Sequence, residues 1–315
     1  MRFIVDHDVG KNLFGDPSGV LTERSIHSNE LSRNPNCTLR REHKRSYRCQ
    51  HFLLVVCCFL FLPLTQFAAP TVYEPFNYSN GSNLAGGNGG IGFADAWTTS
   101  GAVDGVVYSP GDLSYGLLDT SGGKLFATII KTVQVDRPLV SSLGGDGTTT
   151  FVSLLFRPEY NSNARFAELG LMGSKGNCYL GKNSNANGMD GTHYMVNVNG
   201  SQGSSSIGAA ADTAVLLVLR ADFGNGASTF KLFVNPALGS EPNLADATVS
   251  GDIGTVSAIE FSSTLGASID EIRIGGTYAD VASAVPEETT IGAAIAVAFI
   301  VVASNLKRRL EDLAA

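Results

Sequence analysis

Between residues 70 and 285 the chain alternates short apolar stretches with clusters of Gly, Asn, Asp and Pro, and this punctuation restricts its fold more than any other feature. The clearest strands are expected at Thr149 to Arg157, Ala214 to Asp222, Ser228 to Val234 and Ser268 to Ile274. Phe223-Gly224-Asn225-Gly226-Ala227 joins the second and third, and its Gly and Asn residues tolerate the positive φ angles of a hairpin, so that pair is expected to be antiparallel. Within Thr229 to Val234, Phe230, Leu232 and Val234 fall on one face and Lys231 and Phe233 on the other. In the last strand Ile269, Ile272 and Ile274 are expected to be partly buried, with Asp270, Glu271 and Arg273 on a wetter face, although the alternation is imperfect. With 36 glycines and only 16% charged residues, the chain suits many short strands better than long helices. The expected fold class is all-β, an antiparallel β-sandwich, with an N-terminal signal helix and a C-terminal transmembrane helix.

Charge is unevenly spread. Nine of the 22 Lys and Arg residues lie in positions 1–50, whereas residues 70–285 carry ten basic and 19 acidic side chains. So acidic a domain is repelled by phosphate backbones, and it has no basic cluster interleaved with aromatics, so nucleic acid is excluded as a partner. Of five cysteines only Cys178 lies in this region, which rules out a disulfide within it.

Both ends are membrane-active in character. Arg40, Arg41, Lys44, Arg45 and Arg48 precede an uncharged apolar run from Phe52 to Phe67 that ends in Ala68-Ala69-Pro70, the order of a secretory signal. Its 16 residues and Pro63 favour a cleaved signal over a permanent anchor. Thr289 to Leu306 are 18 residues without a charge, roughly 27 Å as a helix, followed by Lys307, Arg308 and Arg309, a basic cluster that holds such a helix end on the cytoplasmic side. The expected organisation is therefore 1–39 a disordered or mis-assigned leader, 40–69 a signal peptide, 70–283 the β-sandwich and 284–315 a sorting signal and membrane anchor. Localisation to the cell envelope or its exterior follows, with the export machinery as a partner.

The order Val285-Pro286-Glu287, apolar helix and Arg-rich tail resembles the PEP-CTERM sorting signal. That resemblance implies an exosortase as partner and removal of the anchor, with Glu288 standing where the family has a second proline. Tyr73-Glu74-Pro75-Phe76-Asn77-Tyr78, a Gly-rich stretch leading to Trp97, Leu219 to Phe223, Phe233-Val234-Asn235-Pro236 and Ser268 to Gly275 occur in that order. Together they resemble LamG-like or concanavalin A-like jelly-roll domains, which implies the fold across 72–281 and leaves the activity open.

Candidate sites follow from residue types. The Glu-x-Asp-x-x-Glu pattern by which some members of this fold cleave glycans is absent, and Asp270 and Glu271, being adjacent, are expected on opposite faces of their strand. His193 follows the turn Asp190-Gly191-Thr192 and reads as a solvated loop residue, and Gly87-x-Gly89-x-x-Gly92 as a Gly-rich loop without the strand and helix of a dinucleotide site. Asn183, Asn185, Asn187 and Asp190 concentrate oxygen donors and are candidate calcium ligands, against the reading of a polar turn; no other cofactor is expected. Trp97, Tyr160, Tyr179 and Tyr194 are candidate glycan contacts, with Trp97 also reading as a core residue. The expected function is a non-enzymatic adhesion or structural sandwich at the cell surface with a polysaccharide or matrix ligand. A lectin-like module is the alternative, and a divergent glycoside hydrolase a further one.

Overall fold

The computed structural model describes residues 69–284, apart from 101–103, 109–110 and 129–130, together with Ser304, Arg308, Glu311 and Asp312. In chain order the strands are β1 (Val72–Glu74), β2 (Thr98–Thr99), β3 (Val106–Tyr108), β4 (Lys124–Ala127), β5 (Val133–Leu143), β6 (Thr149–Pro158), β7 (Ala167–Gly173), β8 (Asn177–Lys182), β9 (His193–Val198), β10 (Ser201–Gly208), β11 (Val215–Asp222), β12 (Ser228–Val234), β13 (Ala247–Gly251), β14 (Val256–Ser263) and β15 (Ala267–Gly275). A four-residue helix, α1 (Tyr278–Val281), follows.

The strands form two antiparallel sheets. One runs β13-β12-β11-β6-β15-β4-β3 with β1 also paired to β15, and the other runs β10-β9-β8-β7-β14-β5-β2. Alternate side chains of both sheets meet in one apolar core, including Phe230, Leu232 and Val234 as the β12 pattern predicts, and Leu169, Leu171, Ile259 and Phe261 from the facing sheet. β11 and β12 pair antiparallel around the expected hairpin, where Gly226 has φ of +102°. The all-β antiparallel sandwich is thus the observed fold.

The last strand departs from expectation for a definable reason. A bulge between Asp270 and Arg273 sets Glu271 at φ of +53°, so the inward positions run Ile269, Ile272, Ile274 instead of every second residue. Asp270, Glu271 and Arg273 do not form a wet face, since all three are buried. Asp270 accepts hydrogen bonds from the backbone N–H groups of Leu113 and Glu271, and burial with the neighbouring Glu271 charge pushes its carboxyl up to about 9. Glu271 accepts from Tyr73 Oη and Ser121 N and pairs with Arg273.

The outer face of the β1-containing sheet is also covered. Leu113 and Leu118 from the preceding loop and Tyr278, Val281 and Ala282 around α1 pack on Phe151, Leu155, Leu216, Val218 and Phe233. Thr277 caps α1 in a reciprocal pair with Asp280. Among the described residues no helix is long and apolar enough to cross a membrane. The leader 1–39, the signal region up to residue 68, Val285, Pro286, Glu287, Lys307, Arg309 and the apolar run 289–306 except Ser304 lie outside the described residues, and Arg308 is exposed.

A buried ion pair joins the two sheets. Arg137 projects inward from β5 beside Val135 and Leu139, and Glu74 ends β1; both side chains are essentially inaccessible. Glu74 accepts from Arg137, from Trp97 Nε1 at 2.9 Å, from Tyr78 Oη at 2.8 Å and from Phe76 N at 2.8 Å. Arg137 also donates to Asp95 O, Gly89 O and Asn88 Oδ1, and its guanidinium lies 3.9 Å from the Phe93 ring centroid. The Gly-rich loop 87–92 is thereby moored from inside, as a loop. Replacing Arg137 by Met leaves a buried carboxylate without its cation, and a loss of about 3–5 kcal/mol is expected in urea unfolding. A loss below about 1 kcal/mol, the level of an exposed pair, would show that the hub is not structural.

Candidate functional site

Beyond the core, the sheet containing β5, β7, β8 and β14 presents its second face. Strand alternation sends Gln134 and Asp136 of β5, Glu260 and Ser262 of β14, Glu168, Gly170 and Met172 of β7, and Asn177, Tyr179 and Gly181 of β8 to that face, because their neighbours in sequence occupy the core. The ladder places Asp136 opposite Glu260, Glu260 opposite Gly170, and Gly170 opposite Tyr179. Glu168 stands opposite Ser262 in the next row, making it the diagonal neighbour of Glu260 at about 7–8 Å between Cα atoms. The Tyr179 ring lies over Gly170, where a Cβ would meet its Cε1 at 2.7 Å, so glycine there lets the ring lie down on the sheet.

Three carboxylates therefore share one face, and no Lys or Arg of β5, β7, β8 or β14 points to it: Arg137 and Lys182 face inward. Glu260 accepts from Gln134 Nε2 at 2.7 Å, and Asp136 from Ser100 Oγ at 2.7 Å. Glu168 is half-buried, and burial followed by the Glu260 charge pushes its carboxyl up to about 8. Burial and the adjacent Asp136 also raise Glu260, against the hydrogen bond from Gln134. At neutral pH this leaves Glu168 largely protonated beside the Glu260 and Asp136 carboxyls, an arrangement that can donate a proton on this surface.

Sequence reasoning missed Asp136, Glu168 and Glu260. Each is a single acid at an outward position of an alternating strand, as in Ala167-Glu168-Leu169 and Ile259-Glu260-Phe261, but their meeting depends on β14 inserting between β5 and β7.

The expected glycan contacts divide. Tyr194 is corrected, being buried at an inward β9 position with its ring 6.0 Å from Phe156, whereas Trp97 takes its core reading, buried against Glu74 and Phe76. Among the described residues the Tyr194 hydroxyl has no hydrogen-bond partner. Tyr179 lies half-buried on the carboxylate face, and Tyr160 is 45% exposed in the loop after β6. The loop from Asn183 to Asp190 contains a short 3-10 turn at Ala186–Gly188 and covers the outer side of β9 and β10 through Met189, which receives the Asn183 and Asn197 amides. Asn183 Oδ1 accepts from Ser184 N, and Asp190 accepts from Thr192 N and Oγ1 and lies 2.7 Å from His193 Nδ1. Asn185 is exposed, and the Asn187 side chain lies outside the described set. The Asn183 and Asp190 oxygens are thus committed to the loop's own turns. His193 begins β9, half-buried and oriented by Asp190.

No family model matches the chain, and no curated protein matches it. Similar solved structures include an endo-1,3-beta-glucanase from Streptomyces sioyaensis at 9% identity, covering 65% of this chain and 95% of that one with a TM-score of 0.42. A glycosyl hydrolase family 16 protein from Mycobacterium smegmatis matches at 10% identity over 65% and 100% of the two chains, TM-score 0.37. A Caenorhabditis elegans galectin matches at 12% over 45% and 95%, TM-score 0.28. The likeness concerns the jelly-roll type of sandwich alone. The expectation of a non-enzymatic chain does not stand beside glycosyl hydrolases among the similar structures, and the likeness itself assigns this chain no activity.

Because the Glu168 carboxyl is raised from the ordinary 4.5 to about 8, the unfolded chain ionises before the folded one, and stability contributed by the protonated group is lost as pH rises through that interval. Glu168→Gln is expected to flatten the decline in urea midpoint between pH 5 and 8. An unchanged decline would place the Glu168 carboxyl in the ordinary range.

Proposed function

We propose that this is an exported β-sandwich that binds neutral glycan chains across the outer face of β5, β14, β7 and β8 and cleaves their glycosidic bonds there. The observation that carries the reading is the meeting of Glu168, Glu260 and Asp136 with Tyr179 on one face, Glu260 buried and the other three half-buried. A protonated Glu168 donates a proton to the leaving glycosidic oxygen, while Glu260 or Asp136 acts as base for water or as nucleophile, the two-carboxylate division of labour that glycoside hydrolysis requires. The Tyr179 ring offers a sugar its apolar face, and Gln134, Asn177 and Ser262 supply hydrogen-bonding groups around it. The lack of basic side chains from these four strands disfavours uronate or sulfated polymers.

Incubating the full chain with a panel of neutral β-glucans, and reading reducing ends, tests this. Glu168→Gln and Glu260→Gln are each expected to lower turnover about 10²–10⁴-fold with retained binding, and Tyr179→Ala to weaken binding. Saturable binding with no reducing ends released from any polymer would reduce the reading to a lectin-like adhesion module. Absence of binding as well would remove the face from consideration.

Export and anchoring rest on the leader and the 284–315 segment, including the candidate exosortase signal at Val285, Pro286 and Glu287. Mass spectrometry of the termini of cell-associated and released protein is expected to find a start near Pro70. A preserved residue 1 would overturn export by this route.

A further inference from the structure

A second concave site lies at the end of β8, where Lys182 pairs with Ala167 next to Glu168. Asn161, Ser162 and Asn163 from the β6–β7 loop, Lys182 at the end of β8, Thr192 before β9 and Gly208 to Ala210 at and after the end of β10 line an open concavity of about 280 Å3. That is just below the range of about 300–1,000 Å3 usual for small-molecule sites, and it is room for one sugar ring.

The chemistry of the lining selects the ligand. Lys182 is 1% exposed, and its ammonium donates to Ser162 O at 2.6 Å, Arg165 O at 2.9 Å and Asn183 O at 3.1 Å. Three carbonyls use all three ammonium protons, so the lysine stiffens the loop and keeps no proton for an anion. Asn161 Oδ1 accepts from Ala211 N, and Thr192 O accepts from Ala209 N, which fixes the opposite wall. Among the described residues the protein takes up neither the Asn161 Nδ2 group nor the Ser162 hydroxyl nor the Asn163 side-chain amide. A row of unspent neutral donors and acceptors on a loop held by Lys182, with exposed Tyr160 beside Asn161 in sequence, matches vicinal hydroxyls.

We infer that this cavity binds a single neutral hexose unit, as free sugar or as the end of a glycan chain, through Asn161, Ser162 and Asn163. The site is independent of cleavage at the carboxylate face.

Ligand-observed NMR and calorimetry on the full chain with glucose, galactose, mannose and their methyl glycosides, with glucuronate as the anionic control, provide the test. At least one neutral hexose is expected to bind saturably and more tightly than glucuronate. Asn163→Ala and Ser162→Ala are expected to weaken it about three- to tenfold each, the worth of one or two hydrogen bonds. No saturable binding of any neutral hexose by protein with an unaltered thermal transition would overturn the proposal. So would hexose binding that is lost in Tyr179→Ala and kept in Asn163→Ala, since that assigns the sugar to the carboxylate face.

Discussion

The ion pair between Arg137 and Glu74 is the constraint around which one edge of the sandwich is organised. An inward arginine in a strand that otherwise alternates Val133, Val135 and Leu139 would be a severe cost without a partner, because a desolvated guanidinium needs both charge and hydrogen-bond compensation. Glu74 supplies the charge, carbonyls of Asp95 and Gly89 take further protons, and Phe93 covers the plane of the group. The same carboxylate holds Trp97 Nε1 and Tyr78 Oη, so the N-terminal strand, the Gly-rich loop and the sole tryptophan are placed by one buried acid. Such a network is costly to break in part and specifies one arrangement of the edge.

The two sheets treat their outer faces differently. Around β15, the loop carrying Leu113 and Leu118 and the turn of α1 form a second apolar layer, and the Asp270 carboxyl is sealed beneath it. On the other sheet, β5, β14, β7 and β8 turn carboxylates, an amide and a tyrosine outward over a glycine. Half-burial of Glu168 against Glu260 raises its carboxyl without sealing it, and that is the condition under which a carboxylic acid can exchange a proton with a ligand at neutral pH.

Lys182 illustrates how a charged group can serve shape instead of charge. It leaves the end of β8 pointing inward and terminates on three main-chain carbonyls, joining the β6–β7 loop to the strand by bonds that a hydrophobic residue could not make. Those bonds tie down Ser162 and Arg165 in the loop that lines the concavity at the end of β8.

Much of the fold was legible in the chain itself. Alternation in Ser228–Val234 placed Phe230, Leu232 and Val234 in the core because a strand's side chains have a period of two, and Gly226 marked the hairpin because few other residues accept its backbone angles. The irregular spacing of Ile269, Ile272 and Ile274 was visible too, but a bulge is a relation between two strands, and only pairing with β6 revealed that Asp270 and Arg273 are buried. The single tryptophan and the Asn-rich loop stand out as candidate sites because they are conspicuous in composition, whereas the structure gives Trp97 to the core and uses Asn183 and Asp190 to hold their own turn. Local sequence determined which residues form strands and which face each side chain takes, since both follow from backbone sterics and short-range periodicity. The order of strands decided the rest: Asp136, Glu260 and Glu168 lie far apart in the chain and share a surface only because β14 pairs with both β5 and β7, a long-range contact that no local pattern encodes.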